Sequence, residues 1–437
     1  CVRIAKANPI AIWAPLFWFR LASAVYFGFG SLVPYILGDE ALSSITSVYD
    51  FDSRTHLKVN SIVAFGTLCC LFFTHPFLRS SRRSARMVPV AHTAVGGSLM
   101  SCAWMFLLIG GSMRYAIVLP YELGVSVYQV PGIIIAVSNL YYVGIFLLVR
   151  RWATAGGRLL PVALILVLSD MLISILMFSK SQLMQIMIFS LLGLVVRTFS
   201  KRLVIFGSVS IFTIFVMFGS LVTYGREQIQ LVHGRITGAT LEERLLIVRN
   251  YLDDDSSSFG GLQPSLARLS YVNVNSFVVD RFDSGMPGET LHSAASVIVP
   301  RVIWPNKPSI SQLGNDLSYE VFGLRGSSLG VGHYAEAYWN FGWFGILPFM
   351  FVLATILSVA TRVSLQIVEQ RNWLFMPVAF ACVNIGIRVD GHFVPDTLGS
   401  AWIAVVIWGT LRFMQKVLRG VRQQRHIPAV SAYGVKS

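Results

Sequence analysis

The sequence predicts an all-α polytopic membrane protein of about ten transmembrane helices with one large loop on the outer side. Three observations carry this expectation. Of the 437 residues, 54% are hydrophobic and only 13% charged, about half the charged share of a soluble domain. Apolar stretches of about 20 residues, the length that crosses a hydrocarbon core, recur along the chain. The basic residues between them fall on alternate sides in a way that sorts the loops.

Ten spans are expected, at about 10–36, 59–78, 88–109, 131–149, 159–179, 182–199, 203–222, 343–361, 373–389 and 398–414. With this count, RSSRRSAR (79–86), RR (150–151), RTFSKR (197–202) and the tail RFMQKVLRGVRQQR share one side. The positive-inside rule makes that side cytoplasmic, with both termini inside. Inner segments hold 20 of the 35 Lys and Arg and a single acid, Glu369, whereas outer segments hold 14 with 19 acids. Arg20 and Asp170 remain inside spans. The first apolar run is too long for a cleavable signal and reads as retained. No soluble domain is visible at either end. Residues 1–437 read as one membrane domain, with 223–342 as the outer loop between spans seven and eight.

The net charge of +14 would suggest nucleic acid in a soluble protein. Here topological charge accounts for it, and no nucleic-acid partner is expected. Four of the five cysteines lie in apolar stretches, which argues against a disulfide framework. No metal-ligand spacing, P-loop, GxSxG or HExxH motif occurs, so no metal or cofactor is expected.

The outer loop has a short helical possibility in TLEERLLIVRNYLDDD (240–255), where Thr240 and Glu243 form a capping box. It carries Arg226, Arg235, Arg244, Arg249, Arg268, Arg281, Arg301 and Arg325, with Lys307. Guanidinium groups suit phosphate oxygens; ion pairs with the loop's twelve acids are the ordinary alternative. Arg301 stands apart in SVIVPRVIWPNKPS (296–309). Pro300 fixes the backbone before it, and Pro305 and Pro308 stiffen the chain after it. Rigid placement is what a binding site needs.

The stretch GVGHYAEAYWNFGWFG (330–345) leads into span eight. His333 and Glu336 sit three apart and share a face on a helix; either can take a proton from a sugar hydroxyl. Trp339, Phe341, Trp343 and Phe344 read as an interfacial belt, although aromatics beside a carboxylate also stack on pyranose rings. Lys180 ends span five, and Arg388, Asp390 and His392 end span nine. Ionisable groups there are functional candidates, with snorkelling as the alternative.

These residues resemble a known family, the Wzy-type O-antigen and exopolysaccharide repeat-unit polymerases of bacterial inner membranes. The family pattern PR-x-x-WP-x-KP is similar to Pro300, Arg301, Trp304, Pro305, Lys307 and Pro308. A second pattern, G-E-x-Y-x-N-F-G-x-x-G, is similar to Glu336, Tyr338, Asn340, Phe341, Gly342 and Gly345, with Ala335 where glycine is expected. The likeness covers about 175 to 345, and Lys180-Ser181 resembles the family's short basic loop. The resemblance implies a GT-C-like fold, a periplasmic loop and a metal-independent glycosyltransferase without cofactor. Its substrate would be an undecaprenyl diphosphate-linked oligosaccharide, and its partners a flippase and a chain-length regulator. Glu336 would be the base, with His333 and His392 as alternatives. Arg301, Lys307, Arg268, Arg325, Arg226, Lys180 and Arg388 would hold the diphosphate. Trp304, Tyr334, Tyr338, Trp339 and Asn340 would hold sugar. Two other readings stay open: an O-antigen ligase-like transferase, and a non-enzymatic lipid-linked sugar flippase or transporter. Transporters usually show paired halves, and no internal repeat is visible here.

Overall fold

The computed structural model describes residues 9–37, 53–79, 99–126, 130–156, 158–195, 200–233, 238–253, 269–299, 303–304, 312–322 and 328–425. Among the described residues every regular element is helical. Eight helices are long and apolar enough to cross a membrane: α1 (Pro15–Ile36), α2 (Arg54–His75), α3 (Leu99–Glu122), α4 (Gly132–Ala155), α5 (Leu159–Leu176), α7 (Arg202–His233), α11 (His333–Glu369) and α13 (Phe393–Val417). Two shorter apolar helices, α6 (Lys180–Val195) and α12 (Trp373–Ile387), complete the set. Each of the ten expected spans therefore has a helix, and the chain is an all-α polytopic membrane protein. Among the described residues, three polar helices lie between α7 and α11: α8 (Leu241–Asp253), α9 (Val272–Asp283) and α10 (Gln312–Phe322).

Some boundaries differ from the expected ones. Hydropathy puts span three at 88–109. Residues 88–98 lie outside the described set, and α3 runs on to Glu122. Arg114 is thus inside a helix rather than in an outer loop. It ends the hydropathy signal, but the fold satisfies it: its Nε donates to Asp170 Oδ1 at 2.8 Å. Helix α7 likewise continues past 222 to His233, taking Arg226 out of the loop.

Helix α11 is the centre of the fold. It packs on α2, α12, α9 and α1, and it buries Met350, Leu353, Ala354 and Leu357 completely. Across the core, Trp13 stands edge-on to Phe146 and Phe380 at 5.3 and 5.1 Å. Such packing, rather than water exclusion, holds helices together in lipid. Helices α1 and α2 both lie against α11; α1 packs chiefly on α12 and meets α2 where the Tyr35 ring stacks on His56 at 5.4 Å.

Helix α11 is sharply bent. Gly342 has φ 63° and ψ −156°, a conformation that breaks the helix and that only glycine adopts readily. Tyr334 and Ile346 would lie about 18 Å apart on a straight helix, but both pack against Gly66 of α2. Residues 333–341 therefore form a short wedge folded back on the true span, which starts at 343 as expected from hydropathy.

The capping box of α8 forms as the sequence predicts. The Thr240 N–H donates to Glu243 Oε2 at 2.6 Å and the Glu243 N–H to Thr240 Oγ1 at 3.3 Å. One turn on, Arg244 is buried and donates to the carbonyls of Ala239, Leu176 and Glu122 at 3.0, 3.3 and 3.1 Å. Burial pulls its pKa below the usual arginine range. Arg244 is a structural tie between α8, α5 and the end of α3 rather than a free loop cation.

Candidate functional site

The wedge 333–341 carries three buried polar side chains, His333, Glu336 and Asn340. It starts at Gly332, whose φ of 80° and ψ of 144° belong to the region open essentially to glycine alone. That turn lets the Gly332 N–H reach the Gly391 carbonyl at 3.1 Å and the His333 N–H reach Val389 O at 3.2 Å. The wedge is thereby stitched to the α12–α13 turn. A Cβ at Gly332 would lie 2.6 Å from Phe27 Cζ. Gly332→Ala is expected to cost about 1–3 kcal/mol from backbone strain and to shift His333 and Glu336; thermal unfolding in detergent measures it. An unchanged melting temperature would refute this account of the turn.

His333 and Glu336 are both fully buried. Glu336 Oε2 accepts the Phe393 N–H at 2.7 Å. Phe393 opens α13, and a first-turn N–H has no partner inside its own helix. The carboxylate supplies one and gains from the positive end of the helix dipole. Thr290 borders the same carboxylate. Asn340, one turn on, holds the other side: its Nδ2 donates to Glu336 O and Thr290 Oγ1, both at 2.8 Å, and its Oδ1 accepts the Thr290 N–H at 3.1 Å.

His392 meets Glu336 from the α12–α13 turn, with Nδ1 3.9 Å from Oε2. Its Nε2 lies 2.8 Å from the Leu329 carbonyl. A carbonyl can only accept, so Nε2 carries a proton. The lone-pair side of Nδ1 then faces Glu336 across 3.9 Å, beyond hydrogen-bond reach, and Nδ1 has no hydrogen-bond partner among the described residues. His333 Nε2 instead pairs with Thr397 Oγ1 at 2.9 Å. The Asp396 carboxylate links the turn to the surface: Oδ2 accepts the His392 N–H at 2.9 Å, and Oδ1 accepts Arg388 Nε and Nη2 at 3.0 and 2.7 Å. Beside it, Asp390 accepts the Tyr271 hydroxyl at 2.9 Å; burial pushes the Asp390 carboxyl up, against the pull of Arg388.

The structure thus brings Glu336, His333, His392, Asn340 and Arg388 into one cluster. Arg388 is exposed, with its guanidinium occupied by Asp396. Tyr338 donates to Asp283 Oδ1 at 2.8 Å, under Lys58 at 4.9 Å from its ring. Trp339 is buried and its Nε1 donates to Met286 O at 3.3 Å. Tyr334 points the other way, its hydroxyl 2.9 Å from Ser23 Oγ. Trp304 is exposed. Arg226 and Lys180 lie elsewhere, in the α5–α7 region: Arg226 Nε donates to Phe178 O at 2.9 Å, and Lys180 Nζ stands 5.4 Å from the Phe215 ring. Arg301, Lys307, Arg268 and Arg325 lie outside the described residues.

Sequence reasoning does not pick out Thr290, Asp396 or Thr397. Each acts through a partner at least 50 positions away or in the α12–α13 turn, so no local spacing signals it. Among the described residues no group of three or more His, Cys, Asp or Glu side chains is placed to hold a metal ion. Chemically, the cluster sets a carboxylate within ion-pair reach of an imidazole, at 3.9 Å. It is closed in this structure, with His333 and Glu336 fully buried. No family model, curated protein or solved structure matches the chain.

Proposed function

We propose that this protein joins lipid-linked oligosaccharide repeat units into a surface polysaccharide, as the Wzy-type polymerases it resembles do. The observation that carries the proposal is the Glu336–His392 pair. The E-x-Y-x-N motif that prompts the resemblance is built into the wedge, and its carboxylate is the one held 3.9 Å from an imidazole. In this reading the acceptor hydroxyl gives its proton to Glu336 as its oxygen attacks the anomeric carbon of the donor glycan. The bond from that carbon to the diphosphate breaks, and the undecaprenyl diphosphate leaves with the electron pair. Cations at the loop, Arg301 and Lys307 first, stabilise the departing charge. His392 shares the proton that Glu336 takes up. The reaction then runs on the periplasmic face of a bacterial inner membrane, within a GT-C-like bundle whose termini are cytoplasmic.

The test is the purified full chain in detergent, given one lipid-linked repeat unit. A ladder of lipid-linked glycans with release of undecaprenyl diphosphate is the expected product. A single transfer to an added lipid A core, with no ladder, would make the protein ligase-like. No new glycosidic bond under either condition, with substrate crossing liposome bilayers, would replace the enzyme by a transporter.

A further inference from the structure

Between α1, α2 and the wedge lies a groove of about 610 Å³ that the proposed reaction does not use. Helices α1 and α2 both pack on α11 and meet each other beyond the groove, where the Tyr35 hydroxyl and His56 Nδ1 stand 2.9 Å apart. Its floor is Leu16, Phe19, Ser23, Phe27, Cys70 and Tyr334, all buried. Its lips include Ala24, Gly28 and Ala64, small residues that are exposed and leave the opening clear. Along α1 it runs from Leu16 to Gly28, about 18 Å by helical rise. One hydrocarbon leaflet is about 15 Å deep, half the ~30 Å core. The groove therefore has the length of one extended acyl chain of a lipid in a single leaflet.

Arg20 gives the occupant a charge. It lines the same groove, near its Leu16 end, and its buried Nε has no hydrogen-bond partner. No acid is among the described residues that line the groove. A cation within a span is costly and is usually paired or functional, and a guanidinium fork fits phosphate oxygens. We infer that the α1–α2 groove binds one anionic phospholipid, with an acyl chain along Phe19, Ser23 and Phe27 and the phosphate on Arg20. The inference is independent of the polymerase proposal, because it uses neither Glu336 nor the loop cations. Its consequence is an annular lipid held against the back of the wedge at Tyr334, so that α1, α2 and the wedge are filled rather than void.

Native mass spectrometry of the full chain in detergent tests this, using phosphatidylglycerol and phosphatidylcholine with identical chains. The wild type is expected to retain about one phosphatidylglycerol and to lose phosphatidylcholine. Arg20→Gln should weaken phosphatidylglycerol retention about tenfold, the loss of one good charged contact, while Arg20→Lys should keep most of it. Ala64→Phe, which fills the groove from its exposed lip, should lose the lipid with Arg20 intact. Equal retention of both lipids by the wild type would overturn the inference. So would Arg20→Gln or Ala64→Phe holding phosphatidylglycerol like the wild type.

Discussion

Glu336→Gln is expected to lower turnover of a lipid-linked repeat unit by about 10²–10⁴-fold, the range a positioned proton acceptor contributes. The substitution isolates the proton because it leaves the packing almost untouched. A glutamine carbonyl can still accept the Phe393 N–H that Glu336 Oε2 takes at 2.7 Å. Asn340 bonds the Glu336 backbone carbonyl, not its side chain, so that tie survives as well. The ability to hold a proton opposite His392 is lost. The melting temperature should therefore stay near that of the wild type while the glycan ladder disappears. His392→Gln should produce a smaller loss of the same kind, since the carboxylate remains but its partner no longer accepts or shares the proton. Normal turnover in Glu336→Gln, with the protein folded, would move the role to His333 or away from the wedge altogether. A collapse of melting temperature together with activity would instead mark Glu336 as a structural anchor of α13.

The parts of the fold that are legible in the sequence are those written locally. Ten apolar segments announce ten helices because hydropathy sums over neighbours. The Thr240–Glu243 box is readable because its two partners are three residues apart. The start of the true span at 343 is readable because Gly342 and the apolar run after it sit side by side. Pairings made across the fold leave no such trace. The Glu336 and His392 side chains both stand out as ionisable residues near span ends, but their meeting depends on the Gly332 turn and the Gly391 carbonyl. The wedge itself is unreadable, since a hydropathy window cannot distinguish a straight helix from one folded back on its own span. Arg114 reads as a loop residue for the same reason: a charge looks exposed until its counter-charge, 56 residues on, is brought beside it.

That hidden counter-charge carries the largest expected effect on stability. Asp170→Ala should destabilise the protein by about 3–5 kcal/mol, the cost of leaving a buried charge without its partner. Arg114 and Asp170 have side chains only 6% and 0% exposed. The guanidinium also donates to Gln182 Oε1 at 3.2 Å and lies 5.0 Å from the Tyr142 ring, while the Tyr115 hydroxyl donates to Asp170 Oδ1 at 3.2 Å. Gln182 passes the chain on to Glu122 Oε1 at 3.1 Å. Helices α3, α5 and α6 are thus joined by one polar network inside the bundle. Removing the acid strands the arginine in a place water does not reach. Removing both charges does not: Arg114→Met with Asp170→Leu replaces the pair by apolar side chains, and such replacements are often neutral or stabilising. Thermal unfolding in detergent should therefore show a steep loss for Asp170→Ala and recovery in the double variant, with glycan synthesis recovering alongside. Recovered stability without recovered synthesis would mean that the pair takes part in function, as an intramembrane charge pair in a transporter does. Little loss of stability in Asp170→Ala would mean that Arg114 finds another partner and that the network is not what joins α3 to α5.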